Sequence, residues 1–341
     1  MAEIFERTLI QGRRFEVIGI GNAIVDVIAQ TDDAFLRENG LNKGTMTLID
    51  VVRAEDLYGL MGAGVESSGG SAANTIVGLA ALGGRGAFVG KVRNDQLGGI
   101  FRHDIAAMGV AFHTPAASEG LPTARCLIFV TPDAQRTMQT FLGVSAELGP
   151  DDIDREIIAD AAVTYLEGYL WDPPAAKAAF QKAARIAHGA GNMVALSLSD
   201  PFCVDRHRLD FLELVEGHVD ILLANEAEIM SLYQVDDFDQ AVQLVRGHCR
   251  VAALTRSEKG SVIISGEEVH VIDAAPVEKV VDTTGAGDLF AAGFLHGLTQ
   301  GCDLHDSGRL GAICAGEVIG HYGARPEAPL AALVGEKLGM A

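Results

Sequence analysis

The sequence predicts an α/β fold: a largely parallel central sheet flanked by helices, with a small β lid. Two observations lead there. Apolar runs of strand length alternate with longer runs whose apolar residues recur every three or four positions, the pattern of helices packed on a sheet. Two stretches interrupt that rhythm with short alternating segments and turn residues.

The strands are FEVIGIG (15–21), AAVTYLEG (161–168), MVALSLS (193–199), VDILLAN (219–225) and VAALTRS (251–257). Between and after them, AAKAAFQKAARIAHGAG and FDQAVQLVRGHC carry apolar residues at helical spacing. SSGGSAANTIVGLAALGG (67–84) enters an apolar helix through glycines, with polar Ser71 and Asn74 at its start. A second buried helix, LFAAGFLHGL, begins just after a Gly-Ala-Gly. The interruptions fall at about 29–67 and 110–143; in the second, TARCLIFVTPDAQRTMQTFLG holds Pro132 and Asp133 and reads as a hairpin. These are expected to be lid strands on one domain spanning 1–341, since no repeat or low-complexity linker divides the chain.

Composition narrows the function classes. The 341 residues are 48% hydrophobic, enough for a sizeable core, and carry a net charge of −20 with no long basic run. A nucleic-acid or anionic-membrane partner is therefore not expected. Five cysteines without C-x-x-C spacing suit a reducing cytoplasm better than a disulfide framework. The N-terminal residues lack the apolar core of a secretion signal, and no apolar stretch has spanning length, so neither secretion nor membrane insertion is expected.

The motif DTTGAGDLF (282–290) places two glycines and an aspartate at a helix start, where free N–H groups and the helix dipole favour an anion. An aspartate in an anion pocket either caps the helix or performs chemistry beside the anion. GIGNA (19–23) fails as a dinucleotide fingerprint because Ile24 stands where the third glycine belongs. No Gly-Lys pair continues as a common phosphate loop, so ATP, if used, is held differently.

Together these pieces resemble the ribokinase-like carbohydrate and nucleoside kinases of the PfkB family over nearly the whole chain. DTTGAGDLFAAGF resembles the family's C-terminal signature, and GGSAANTIVGLAALG with GKVRNDQLG its N-terminal one. NEAE (225–228) is similar to its N-x-x-E element, and LTRSEKGS (254–261) stands where members carry a T-x-G-x-x-G turn, with Ser257 at the glycine position.

The resemblance implies phosphoryl transfer from ATP with Mg²⁺, in which donors aimed at the transferring group stabilise its charge. The N–H groups of Gly285, Ala286 and Gly287 would be those donors, and Asp288 the general base, ionised and of low ground-state basicity at a helix start. Arg136 in the lid hairpin would face the phosphates. Asn225, Thr255, Gly260 and Gly287 would bind the nucleotide, and Glu228 would organise Mg²⁺ through water. Asp282 and Thr284, with the carbonyls of Val318, His321 and Gly323, fall where relatives bind a monovalent cation such as K⁺. Asn22, Asp26, Gly69, Gly70 and Asn74 match positions that hold a sugar.

LSLSDPFCV and EGYLWDPP resemble adenosine-kinase members, with Trp171 and Phe202 as candidate faces for a purine. The expected substrate is adenosine, phosphorylated at its 5′-hydroxyl by a monomer or homodimer. A ribose- or fructose-type sugar kinase is the alternative, and a non-catalytic nucleoside or sugar sensor the alternative of another class.

Overall fold

The computed structural model describes residues 12–133 and 135–339. Its strands are β1 Phe15–Ile20, β2 Ile24–Gln30, β3 Met46–Leu48, β4 Val65–Gly69, β5 Gly86–Val89, β6 Ala111–Phe112 and β7 Ala124–Val130. They continue with β8 Arg136–Phe141, β9 Ala161–Glu167, β10 Met193–Ser197, β11 Ile221–Asn225, β12 Val251–Thr255, β13 Ser261–Ser265 and β14 Glu268–Ile272.

The large sheet has nine strands in the order β14-β13-β12-β11-β10-β9-β1-β5-β6. It is parallel from β12 to β6, and only β13 and β14 run antiparallel to their neighbours. Helices cover both faces, so β1 is buried along its whole length. Val17 belongs to the core on one face, which includes Leu79, Leu289 and Phe294, and Ile18 to the core on the other, which includes Phe180, Phe211 and Ile229.

A second sheet has five strands in the order β3-β8-β7-β2-β4. It is mixed: β7 pairs parallel to β2 and antiparallel to β8. This sheet takes in residues ahead of 29, since β2 alternates buried Val25, Val27 and Ala29 with half-exposed neighbours from Ile24 onward. The stretch 110–143 is shared, since β6 pairs with β5 in the large sheet. Two helices, Asp33–Glu38 and Val51–Leu60, also lie within 29–67, started by Asp32 and Asp50, which accept the N–H of Phe35 and Arg53. Among the described residues, no helix is long and apolar enough to cross a membrane.

Candidate active site

The parallel strands end along one edge, where α/β sheets bind ligands. That edge carries Asn22 after β1, Glu167 ending β9, Asn225 ending β11 and Thr255 ending β12. Two helices start over it, Ser71–Ala81 and Ala286–Thr299. They approach closely through Gly78, where a Cβ would lie 2.6 Å from Leu289 Cδ1.

Helix Ala286–Thr299 begins at Gly285, whose φ of +80° and close approach to Ala324 admit only glycine. The Ala286 N–H donates to the Thr283 carbonyl at 3.2 Å. The N–H groups of Gly285, Gly287 and Asp288 have no backbone acceptor among the described residues, and a Cβ on Gly287 would meet nothing within 4 Å. Three free donors around open space suit a phosphate.

Asp288 stands in the first turn of this helix and reaches the first turn of the other. Ser71 Oγ donates to its Oδ1 at 2.6 Å and Asn74 Nδ2 to its Oδ2 at 3.0 Å. Burial raises its pKa above the ordinary carboxylate value, against the lowering effect of those bonds and of Arg325. Loss of water thus works against the low basicity expected of a helix start.

Asn74 Oδ1 is left buried without a hydrogen-bond partner, and Asp26 accepts no hydrogen bond from the described residues. Burial pushes the Asp26 carboxyl up to about 6, opposed by Arg325 and Arg136. Gly69 lies against it, since a Cβ there would fall 2.4 Å from Asp26 Oδ2, and Gly70 turns the chain with φ +100°. Asp26 thus sits against the glycine turn that leads into the helix bearing Asn74. Asn22 differs: its Nδ2 donates to Glu167 Oε1 at 2.8 Å, its Oδ1 accepts from Ser145 Oγ at 2.9 Å, and it is 1% exposed. Both ends of its side chain are used inside the protein.

Glu167, which the motifs did not single out, ties three segments together. It accepts from the Asn22 N–H and side chain and from the Ala72 N–H at 2.8 Å, and burial pushes it up to about 7. In the sequence it ends an apolar strand and begins the EGYLWDPP stretch, without a role of its own.

Glu228 forms a capping box with Asn225: its backbone N–H donates to Asn225 Oδ1, and its carboxylate accepts from the Asn225 N–H and Nδ2. It is 5% exposed, and burial pushes it up to about 7. Thr255 and Gly260 flank the turn after β12, in which Ser257 adopts the left-handed φ of +52° that glycine would take more easily.

Arg136 and Asp282 meet, Nη1 to Oδ2 at 2.9 Å, with only 9% and 10% of their side chains exposed. Asp282 also accepts from the Thr284 N–H and hydroxyl and from the Gly323 N–H, so three hydrogen bonds and the ion pair engage it. Val318 and His321 sit nearby in the segment whose Ile319 carbonyl accepts from Val281. Of the two aromatic candidates, Trp171 belongs to the core, 2% exposed against Phe180 and Phe211, while Phe202 is 77% exposed. Tyr169, two residues past the end of β9, is 36% exposed at the same edge.

Comparison with known proteins agrees with this architecture. Residues 44–331 match the pfkB family carbohydrate kinase model. The adenosine kinase from Sinorhizobium meliloti is 53% identical with a TM-score of 0.88, over 96% of this chain and 100% of that one. A probable sugar kinase protein from Rhizobium etli is 51% identical with a TM-score of 0.89 over the same shares. An ATP-dependent ribose-1-phosphate kinase from Halopiger xanaduensis is 32% identical over 76% of this chain and 83% of its own. The chain belongs to the pfkB family of carbohydrate kinases and is a phosphotransferase acting on an alcohol group.

Proposed function

We propose that the protein transfers the γ-phosphoryl group of ATP to the 5′-hydroxyl of a purine nucleoside, adenosine first. One observation carries the reading: Asp288, a buried carboxylate of raised pKa, is fixed through both oxygens beside three free N–H groups at a helix start. A base poised next to an anion cradle suits attack by a hydroxyl on a phosphoryl group.

In this reading the acceptor's sugar lies in the recess of Asp26, Gly69, Gly70 and Asn74. Asp26 and Asn74 Oδ1 are the acceptors left there for its hydroxyls, while Asn22 braces the recess through Glu167. Tyr169 and Phe202 offer apolar faces to a base. The Gly285, Gly287 and Asp288 N–H groups hold the phosphoryl oxygens, Asp288 takes the hydroxyl proton, and Asn225, Thr255 and Gly260 border the nucleotide. Mg²⁺, when bound, neutralises phosphate charge, with Glu228 contributing through water because its carboxylate is engaged by Asn225. Arg136 holds the lid to the anion loop through Asp282 and supplies positive charge there; a monovalent cation at Asp282 would have to displace it.

ATP-dependent phosphorylation of nucleosides and sugars, compared by kcat/KM, tests the assignment. Adenosine or another purine nucleoside should lead by more than about tenfold, or 1.4 kcal/mol. Ribose, ribose 1-phosphate or fructose leading by that margin would return the acceptor to a sugar.

A further inference from the structure

Arg325 plays no part in the mechanism above, yet it sits at the turn that carries Gly69 and Gly70. Its Nη2 donates to the Ser68 carbonyl at 2.8 Å and to Ser68 Oγ at 3.1 Å, and its Nη1 to the Ala73 carbonyl at 3.3 Å. Ser68 lies near the end of β4, and Ala73 lies in the first turn of helix Ser71–Ala81, so one guanidinium spans the turn from both sides. Ser68 is anchored in turn by Asp104, whose Oδ2 accepts its N–H at 2.7 Å and its hydroxyl at 2.6 Å. Between those two points the chain presents Ser71, and just beyond the second Asn74, to Asp288.

The charges around the guanidinium come from three elements. Asp26 faces it from β2, Asp104 from helix Gln96–Ala107 and Asp288 from helix Ala286–Thr299, and none of them lies within 4.0 Å as a direct ion pair among the described residues. Asp26 also faces Arg136 and Asp288. Asp288 is faced in addition by Tyr165, Glu167 and Tyr169 from β9 and the turn after it. A buried cation held only by carbonyls and a hydroxyl is costly unless its field is used.

We propose that Arg325 is a positioning residue for phosphoryl transfer: it clamps the Ser68–Asn74 segment so that Ser71 and Asn74 hold the Asp288 carboxylate, and it supplies the fixed positive charge facing Asp26 and Asp288. The proposal rests on Asp288 being the base. Burial lowers Arg325 only to about 10, so it stays charged at neutral pH.

The test compares the parent with Arg325→Gln, Arg325→Lys and Asp288→Asn, measuring thermal midpoint, kcat and KM for ATP across about pH 5 to 9. Arg325→Gln should lower kcat by about tenfold or more with KM for ATP within about twofold, and should move the acidic limb of kcat/KM upward by about half a pH unit or more. Arg325→Lys should return the limb but not kcat, because one ammonium cannot span both carbonyls. A folded Arg325→Gln protein with parental kcat and an unmoved limb overturns the proposal. If that variant does not fold, Arg325→Lys decides: a limb in place with lowered kcat supports the role, and a shifted limb or parental kcat overturns it. An Asp288→Asn protein that turns over like the parent removes the base and this role together, whereas an inactive one beside an unaltered Arg325→Gln removes this role alone.

Discussion

Asp288→Asn exchanges one carboxylate oxygen for an amide nitrogen and leaves almost everything else in place. Ser71 can still donate to the remaining oxygen, and Asn74, whose Oδ1 has no partner, can turn its amide to accept from the new nitrogen. The fold should therefore survive. With no group to take the hydroxyl proton, kcat should fall by about 10²–10⁴-fold, while ATP affinity is kept or slightly raised by loss of a negative charge beside the anion cradle. Turnover, thermal midpoint and ATP affinity measured on one preparation check this; turnover within a few fold of the parent would remove Asp288 as base.

At the scale of the element, the start of helix Ala286–Thr299 separates two glycines that look alike in the sequence. Gly285 has φ +80° and would press a Cβ to 2.7 Å from Ala324, so Gly285→Ala should destabilise the protein by about 1–3 kcal/mol. Gly287 has ordinary helical freedom and open space before it, so Gly287→Ala should leave stability unchanged or raise it by up to about 1 kcal/mol. Its methyl group would nevertheless enter the space the proposed function gives to phosphate, and kcat/KM for ATP should drop. Denaturation midpoints and ATP kinetics on both variants separate backbone strain from anion access.

The lid gives a second test at this scale. Arg136 already neutralises Asp282 beside its three hydrogen bonds, so K⁺ in place of a bulky organic cation should change the parent's activity by less than about twofold. Arg136→Ala should lower activity and make what remains respond to K⁺. Kinetics in the two salts at equal ionic strength decide it, and strong K⁺ activation of the parent would count against the pairing in solution.

For the whole molecule, the buried acids of the site set a pH dependence. Asp26 is pushed up to about 6, Glu167 and Glu228 up to about 7, and Asp288 is raised as well, each by burial. Between the unfolded carboxylate value and these folded values the native state binds more protons than the unfolded chain, so stability falls as pH rises through that window. Acids lowered in the fold, such as Asp133 at about 2, are already ionised in both states above about pH 5 and do not oppose the trend there. The thermal midpoint should drop by several degrees between about pH 5 and 8, the loss being on the order of a few kcal/mol. Glu167→Gln should flatten that slope, and a midpoint rising with pH would contradict the assignment.

The sequence by itself determined the α/β class, the glycine entries of both helices and the family, because apolar periodicity and helix-start chemistry are local properties that a short window displays. It also placed Asp288, Asp26 and Asn74 among the residues to watch. Tertiary structure alone decided what those residues touch. That Asn22 turns inward to Glu167, that Arg136 closes on Asp282 from a strand far away in the chain, and that Arg325 reaches back to Ser68 all depend on contacts between distant segments. Burial acts the same way: the raised values of Asp26, Glu167 and Asp288 come from water excluded by neighbouring elements, which no local pattern of residues records.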